Sequence, residues 1–365
     1  MAHFADIIDQ DHITEHVQNA LKTGKISHAY IISGDVGSGK KTIAKAFAKT
    51  LLCENQKDTG KFIESCDECH SCKQAESDSH PDIKILYHEK PTTISIDEIR
   101  HQVCDDVYIK PYSDHKIYII PDGEKMTIQA QNALLKTLEE PPHYTIIIIL
   151  TSNIDAFLPT IISRCIVFPI KPVRDDLIMK HLMQVRRVVD YKARLAASFA
   201  QGNVGKAILL SENEDFEKLK DGTIDLMSRL DRLAVNEMTD RLQLLLTANT
   251  EKAESSEDDD QEEKKAKSKK LDPIIMENFL DILMSLIRDM LVYKAEDSPN
   301  HLIFADKLSY ISSVTKKCTY KDLDDMRKAV DEARSRIKSN VNALLTLEML
   351  MLNLKEAQAK TKENV

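Results

Sequence analysis

Four of the seven cysteines crowd into one short stretch: Cys53, Cys66, Cys69 and Cys72. The Cys-x12-Cys-x2-Cys-x2-Cys spacing sets three thiols at tight intervals and a fourth within loop reach. Four soft donors in tetrahedral array suit a structural Zn²⁺ site with no open position for catalysis. An iron–sulfur cluster takes the same donors, and His70 and His80 lie near enough in sequence to replace one of them. Buried inert thiols are the plain alternative, but Asp67, Glu68, His70 and Ser71 make the segment too polar for a core. The opening Met1-Ala-His-Phe-Ala-Asp-Ile-Ile has no basic region followed by an apolar stretch. No secretory signal is expected, so the cysteines read as metal chemistry rather than a disulfide framework. Cys104, Cys165 and Cys318 are isolated and read as structural.

A second group could hold phosphate. Gly34-Asp-Val-Gly37-Ser-Gly39-Lys40-Lys41-Thr42 follows an apolar run, Ala29–Ser33, and precedes a helical pattern. Glycines there let backbone N–H groups approach phosphate oxygens, the helix N-terminus adds positive potential, and Lys40 supplies a point charge. A working P-loop needs a Ser or Thr directly after the lysine to ligate Mg²⁺. Lys41 stands there instead, and Thr42 lies about 100° further round the helix. The strand-like run Lys116–Ile120 should present an Asp to the same ion and a Glu to the attacking water, but it leads into Pro121-Asp122-Gly123-Glu124. Asp122 reads as part of a Pro-Asp-Gly turn rather than a displaced ligand. Two lesions fall on one metal site, so ATP turnover and Mg²⁺ ligation are not expected, while nucleotide binding itself is left open.

A third candidate is Arg164, in Ser163-Arg164-Cys165. A loop arginine is ordinarily a solvated charge. At the edge of a nucleotide-binding domain it could instead reach a neighbouring subunit's γ-phosphate as an arginine finger.

These groups need a scaffold. Short β-branched runs recur at Ala29–Ser33, Ile83–Tyr87, Lys116–Ile120, Thr145–Thr151 and Cys165–Phe168, with helical patterns between them. Apolar runs with little alternation predict a parallel sheet buried on both faces. A helix is expected over Met126–Glu140, stopped by Pro141-Pro142. After Pro169 and Pro172 three short helices follow at Asp175–Val188, Tyr191–Ala200 and Val204–Leu210. From about Glu214 the pattern is helical, with an apolar stripe from Met276 to Leu291 and a run apolar nearly all round over Val341–Leu354. The stretch 251–270, acidic and then lysine-rich, predicts a disordered solvated insertion. Ile146–Leu150 is the longest purely apolar run, far short of the ~20 residues of a membrane span. A cytoplasmic protein is therefore expected. A net charge of −9 argues against binding of nucleic acid by sheer basicity and leaves a local basic face open.

The order of these features resembles one family. His28-Ala-Tyr, the P-loop, the four-cysteine insertion, Asn132-Ala-Leu-Leu-Lys-Thr-Leu-Glu-Glu-Pro-Pro142 and Ser163-Arg-Cys165 follow one another. That order is similar to the bacterial clamp-loader subunits of DNA polymerase III, tau/gamma and delta-prime, strongly over the first 210 residues. The resemblance implies an α/β P-loop AAA+ domain with a five-stranded parallel sheet over 1–168, carrying the cysteine insertion at 53–72. It implies a three-helix lid over 169–212 and an all-α collar over 213–365 through which five subunits form a ring. Motor subunits of the family end the P-loop in Lys-Thr, carry Asp-Glu at the second strand end and a lid arginine in Gly-x-x-Arg. Here those positions read Lys40-Lys41, Pro121-Asp122 and Gly202-Asn-Val-Gly205. The departures match the static delta-prime type, which donates Arg164 in trans and works with tau/gamma, delta, the sliding clamp and primer-template DNA. A tau/gamma-type ATPase is the alternative, and a zinc-dependent nucleic-acid-binding module is a third reading that the acidic net charge disfavours.

Overall fold

The apolar runs pair as strands in the computed structural model, which describes residues 3–247, 272–299, 301–339 and 341–359. The charged stretch 251–270 lies outside the described residues. In chain order the strands are β1 (Ala29–Ser33), β2 (Lys57–Asp58), β3 (Ile63–Glu64), β4 (Ile83–Ile85), β5 (Lys116–Ile120), β6 (Thr145–Thr151) and β7 (Ile166–Pro169). β2 and β3 form a small antiparallel pair. The other five form one sheet in the order β4-β5-β6-β1-β7, parallel throughout.

Alternate residues of each strand feed two separate cores, which is why the runs show no polar alternation. Ile31, Ile120, Ile147 and Ile149 face one side and Ile32, Ile119, Ile146 and Ile148 the other. The second side is covered by α1 (Asp11–Thr23), through Ile13 and Val17, and by α2 (Lys40–Leu51), through Ile43, Ala44 and Phe47. Next in the chain come α3 (His70–Glu76), α4 (Ile96–Ile99) and α5 (Ile128–Glu139), the last two packed on the first side. α5 starts later than the sequence predicts: the Thr127 hydroxyl accepts from Ala130 N–H and caps the helix, leaving Met126 extended before it. A short α6 (Pro159–Ile162) precedes β7, and α7 (Asp175–Gln184), α8 (Asp190–Ala200) and α9 (Val204–Glu212) follow.

The chain divides into two compact units, Met1–Ile208 and Leu209–Val365. The second is helical among its described residues: α10 (Glu214–Arg229), α11 (Val235–Thr247), α12 (Pro273–Glu296), α13 (Leu308–Thr315), α14 (Tyr320–Lys338) and α15 (Ala343–Ala359). α12 buries Phe279, Leu283, Leu286 and Met290, as its stripe predicts. It also buries two carboxylates. Asp281 pairs with Arg334 of α14 at 2.6 Å, and Asp289 accepts from Phe304 N–H at 2.7 Å. On α15, Leu347, Leu350, Met351 and Leu354 are buried while Leu345 and Met349 are exposed, so its apolar character has an inner and an outer face.

Candidate functional site

The P-loop hangs between β1 and α2. Gly37 adopts φ +85° and Gly39, which precedes α2, φ +97°, left-handed values that favour glycine. Lys40 opens α2 and turns back on the loop, its ammonium donating to the carbonyl oxygens of Gly34 and Asp35. Burial lowers the Lys40 pKa, and the nearby carboxylates of Glu124, Asp35 and Asp122 offset part of that. A cleft of about 650 Å³ opens beside the loop, walled by Ser38, Gly39 and Thr42 and by apolar residues that include Ile7, Val173 and Ile208. Lys41 is exposed and does not line it.

The start of α9 closes directly onto this loop. Asn203 Nδ2 donates to Val36 O at 2.7 Å, and Gly205 N–H donates to Gly37 O at 3.0 Å. Asn203 also caps α9 by accepting from Lys206 N–H at 3.0 Å. The approach is so close that a Cβ on Gly205 would lie 2.4 Å from Gly37 O. Glycine at 205 is therefore a requirement of the contact, and the arginine of a Gly-x-x-Arg lid does not fit this geometry.

At the end of β5 both carboxylates are engaged by neighbouring groups. Asp122 sits at φ +50° and pairs with Lys125 at 2.9 Å, which holds its carboxyl below the usual range. Glu124 accepts from Thr151 Oγ1, Ser152 N–H and Ser152 Oγ at 2.9, 3.1 and 2.6 Å. Burial opposes ionisation of Glu124, but these bonds outweigh it and lower its pKa.

The four cysteines come together as their spacing predicts. Their sulfurs all lie within 4.8 Å of one another, and Cys66 and Cys72 are 4.0 Å apart. A tetrahedron with Zn–S of about 2.3 Å has edges of about 3.8 Å. Backbone N–H groups point at the sulfurs: Cys66 N–H at Cys53, Cys69 N–H at Cys66, and Cys72 N–H at Cys69, at 3.2–3.4 Å. The N–H groups of Cys69 and Glu68 pull the Cys66 thiol down to about 6, whereas burial pushes Cys53 and Cys72 up. N–H donors aimed at sulfur favour thiolate, the form that binds metal, so the donor set fits a metal ion. His80 is not part of the group: its ring bonds to Ser71 Oγ at 3.0 Å and accepts from Asp82 N–H.

The module is tied down on both sides. Lys49 of α2, nearly buried, pairs with Asp67 at 2.7 Å and Glu76 at 3.0 Å. Glu64 accepts from Phe4 and Ala5 N–H, and Gln18 of α1 exchanges two bonds with the Ile63 backbone.

Arg164 does not line the P-loop cleft. Its guanidinium reaches Glu139, the last residue of α5, at 2.6 Å and Thr160 O at 2.9 Å. The loop that leads to it is held by Gln131, a buried glutamine on α5 that accepts from Leu158 N–H and donates to Ala156 O and Met126 O.

The family described as DNA polymerase III, delta subunit, matches residues 9–174, and its C-terminal counterpart matches residues 236–356. The DNA polymerase III subunit delta' of Bacillus subtilis is 30% identical over 95% of this chain and 96% of its own length. The chain belongs to the DNA polymerase III delta-prime family. Other relatives of this delta-prime-family chain include the DNA polymerase III subunit gamma of Buchnera aphidicola, 32% identical over 69% of each chain. A DNA polymerase III gamma subunit-related protein from Thermotoga maritima overlaps it at a TM-score of 0.43, with 19% identity, covering 94% of this chain and 99% of that one.

Three contacts of this delta-prime-family chain were not read from the sequence: Asn203 on Val36, Glu139 on Arg164, and Gln131 on Leu158. Asn203 and Glu139 lie inside motifs quoted above, but nothing in a motif says which atoms meet. Among the described residues no helix is long and apolar enough to cross a membrane.

Proposed function

We propose that this chain is a non-hydrolysing, delta-prime-type stator of a DNA polymerase III clamp loader, helping to place a sliding clamp on primed DNA. The carrying observation is the closure of Asn203 and Gly205 onto Val36 and Gly37. A lid bonded to its own P-loop suits a subunit that does not cycle with nucleotide. Lys41 and Pro121 act in the same direction by removing two Mg²⁺ ligands from the motor pattern. Residues 1–168 serve as the AAA+ domain, 169–212 as the lid and 213–365 as the collar, with Leu345 and Met349 of α15 and Leu244 of α11 exposed for contact with neighbours. Those neighbours are tau/gamma and delta subunits in the cytoplasm, and the clamp and primer-template DNA are met through the assembled complex.

In this reading Cys53, Cys66, Cys69 and Cys72 hold one Zn²⁺, which crosslinks its loop and supplies no reaction chemistry. Arg164 serves a neighbour's ATP as a trans arginine finger. The test is ATP turnover by the isolated chain, then by the chain reassembled with motor subunits. We expect none from the isolated chain, and partial loss of clamp- and DNA-stimulated turnover when Arg164→Ala joins the complex. Turnover by the isolated chain that Lys40→Ala abolishes would falsify the stator reading in favour of a tau/gamma-type motor.

A further inference from the structure

We propose that Glu139 is the positioning residue for Arg164, a reading that rests on the proposed action of Arg164 in trans. Glu139 is the last residue of α5, where the helix dipole places partial negative charge. A carboxylate there is locally unfavourable, and a lysine or arginine would be the favoured choice. What offsets the cost is the Arg164 guanidinium, 2.6 Å from Glu139 Oε1. A second anchor comes from Thr160 O, 2.9 Å from Arg164 Nη1. These two contacts fall on different terminal nitrogens, so they fix both the reach and the rotation of the guanidinium plane. Arginine has five N–H donors; Nη1 also reaches Ser163 Oγ at 3.4 Å, which leaves Nε and the second Nη2 hydrogen for a phosphate. The side chain is 34% exposed, in keeping with a group held at the surface rather than sealed inside it.

The backbone beneath is fixed by independent means. Ile161 of α6 is fully buried in the core that α5 also covers, and Gln131 bonds the Leu158 N–H just before α6. Both α5 and α6 therefore carry Arg164, one through its side chain and one through its main chain. A free arginine would lose side-chain rotamer entropy on engaging a phosphate. Ordering by Glu139 takes that loss before the neighbour arrives, so more of the contact appears as transition-state stabilisation. The pair also lowers the net charge at this edge until a more highly charged phosphate competes for the remaining donors.

The experiment uses the full chain reassembled with its motor subunits, delta, the sliding clamp and primed DNA. Glu139→Ala, Glu139→Gln, Arg164→Ala and the double variant Glu139→Ala/Arg164→Ala are compared, with assembly checked by native mass spectrometry. Glu139→Ala should lower the clamp-loading rate toward that of Arg164→Ala, up to the ~10²-fold that misplacement by an ångström costs. The KM for ATP should stay unchanged, since only the transition-state contact is loosened. Glu139→Gln, which keeps the shape and an acceptor oxygen, should recover part of the rate. Adding Glu139→Ala to Arg164→Ala should cause no further loss. The proposal is overturned if Glu139→Ala loads at the wild-type rate while Arg164→Ala is slow, in which case the finger stands without its positioner. Equal loss from Glu139→Ala in both backgrounds overturns it too, because the role is then merely structural. Wild-type loading by Arg164→Ala removes the finger reading itself, and the proposal with it.

Discussion

One added carbon at position 205 would collide with the P-loop. Its Cβ would sit 2.4 Å from Gly37 O, closer than real Cβ contacts, so the backbone on one side must yield. Gly205→Ala should therefore destabilise the chain by about 1–3 kcal/mol, the usual cost of overpacking. Asn203→Ala, which loses the bond to Val36 O and the cap of α9, should cost about 1 kcal/mol. Both should speed hydrogen exchange across residues 35–39 before they lower the global midpoint, since local opening is the easier event. Unchanged exchange there in Gly205→Ala would mean the lid contact holds nothing. The site shows the same contrast between what sequence reveals and what it hides. The loss at Lys41 and Pro121 is readable because each motif position demands one side-chain chemistry. The contact at Gly205 is not, because a backbone N–H is common to nearly all residues and only geometry singles it out.

At the scale of elements, α5 does two jobs with one helix. Ala130, Leu134 and Leu138 pack on the sheet, while Gln131 among them reaches the loop before α6. Gln131→Leu keeps the apolar volume but strands Leu158 N–H and two carbonyls, so unfolding in urea should show a loss of about 1–3 kcal/mol. A loss under ~0.5 kcal/mol would mean water replaces the amide. β5 offers a second test. Asp106 accepts from Tyr118 Oη at 2.7 Å and pairs with the nearly buried Lys116 at 2.7 Å. Burial opposes its charge, yet these partners outweigh it and lower its pKa. A depressed carboxylate contributes stability above the unfolded value of about 3.9 and loses it as pH falls through the folded value. Urea midpoints should therefore fall more steeply below about pH 4 in the wild type than in Asp106→Asn, which should be less stable near neutral pH. Parallel slopes would remove Asp106 as a contributor. The strands themselves were legible, since isoleucine runs buried on two faces leave little alternative. Gln131, Asp106 and Asp281 were not, because each polar group is explained by partners ten or more positions away.

For the whole molecule, the cysteine module fastens the start of the chain to the sheet unit. Cys53 follows α2, Glu64 takes Phe4 and Ala5, and Gln18 of α1 holds Ile63. Metal analysis should find about one Zn²⁺ per chain. Chelation should raise hydrogen exchange across residues 53–80 and, through Glu64, at Phe4 and Ala5, while strands β1, β5 and β6 stay protected. A metal-free preparation with full protection at Phe4 would separate the module from the N-terminal segment. The four-thiol cluster was visible in spacing alone because metal ligation demands a fixed residue type. The fastening was not, since Glu64 and Gln18 carry no motif and act through ordinary backbone bonds. The division between Ile208 and Leu209 falls inside α9, where helical patterning gives no sign of a boundary, and the inner and outer faces of α15 likewise needed coordinates to be told apart.

On the stator reading proposed above, the short distance between Gly205 and Gly37 also constrains how turnover could be gained. Lys41→Thr and Pro121→Asp would return ligands for Mg²⁺ without touching the lid contact. Gly205→Arg would collide with Gly37 O as long as the lid stays bonded to the loop. An arginine there is harmful until the lid has opened, and an open lid has no use until the metal ligands are back. No single reversal yields turnover, and one of them is actively opposed. On that reading the contact acts as a latch: turnover is reached only when several residues change together.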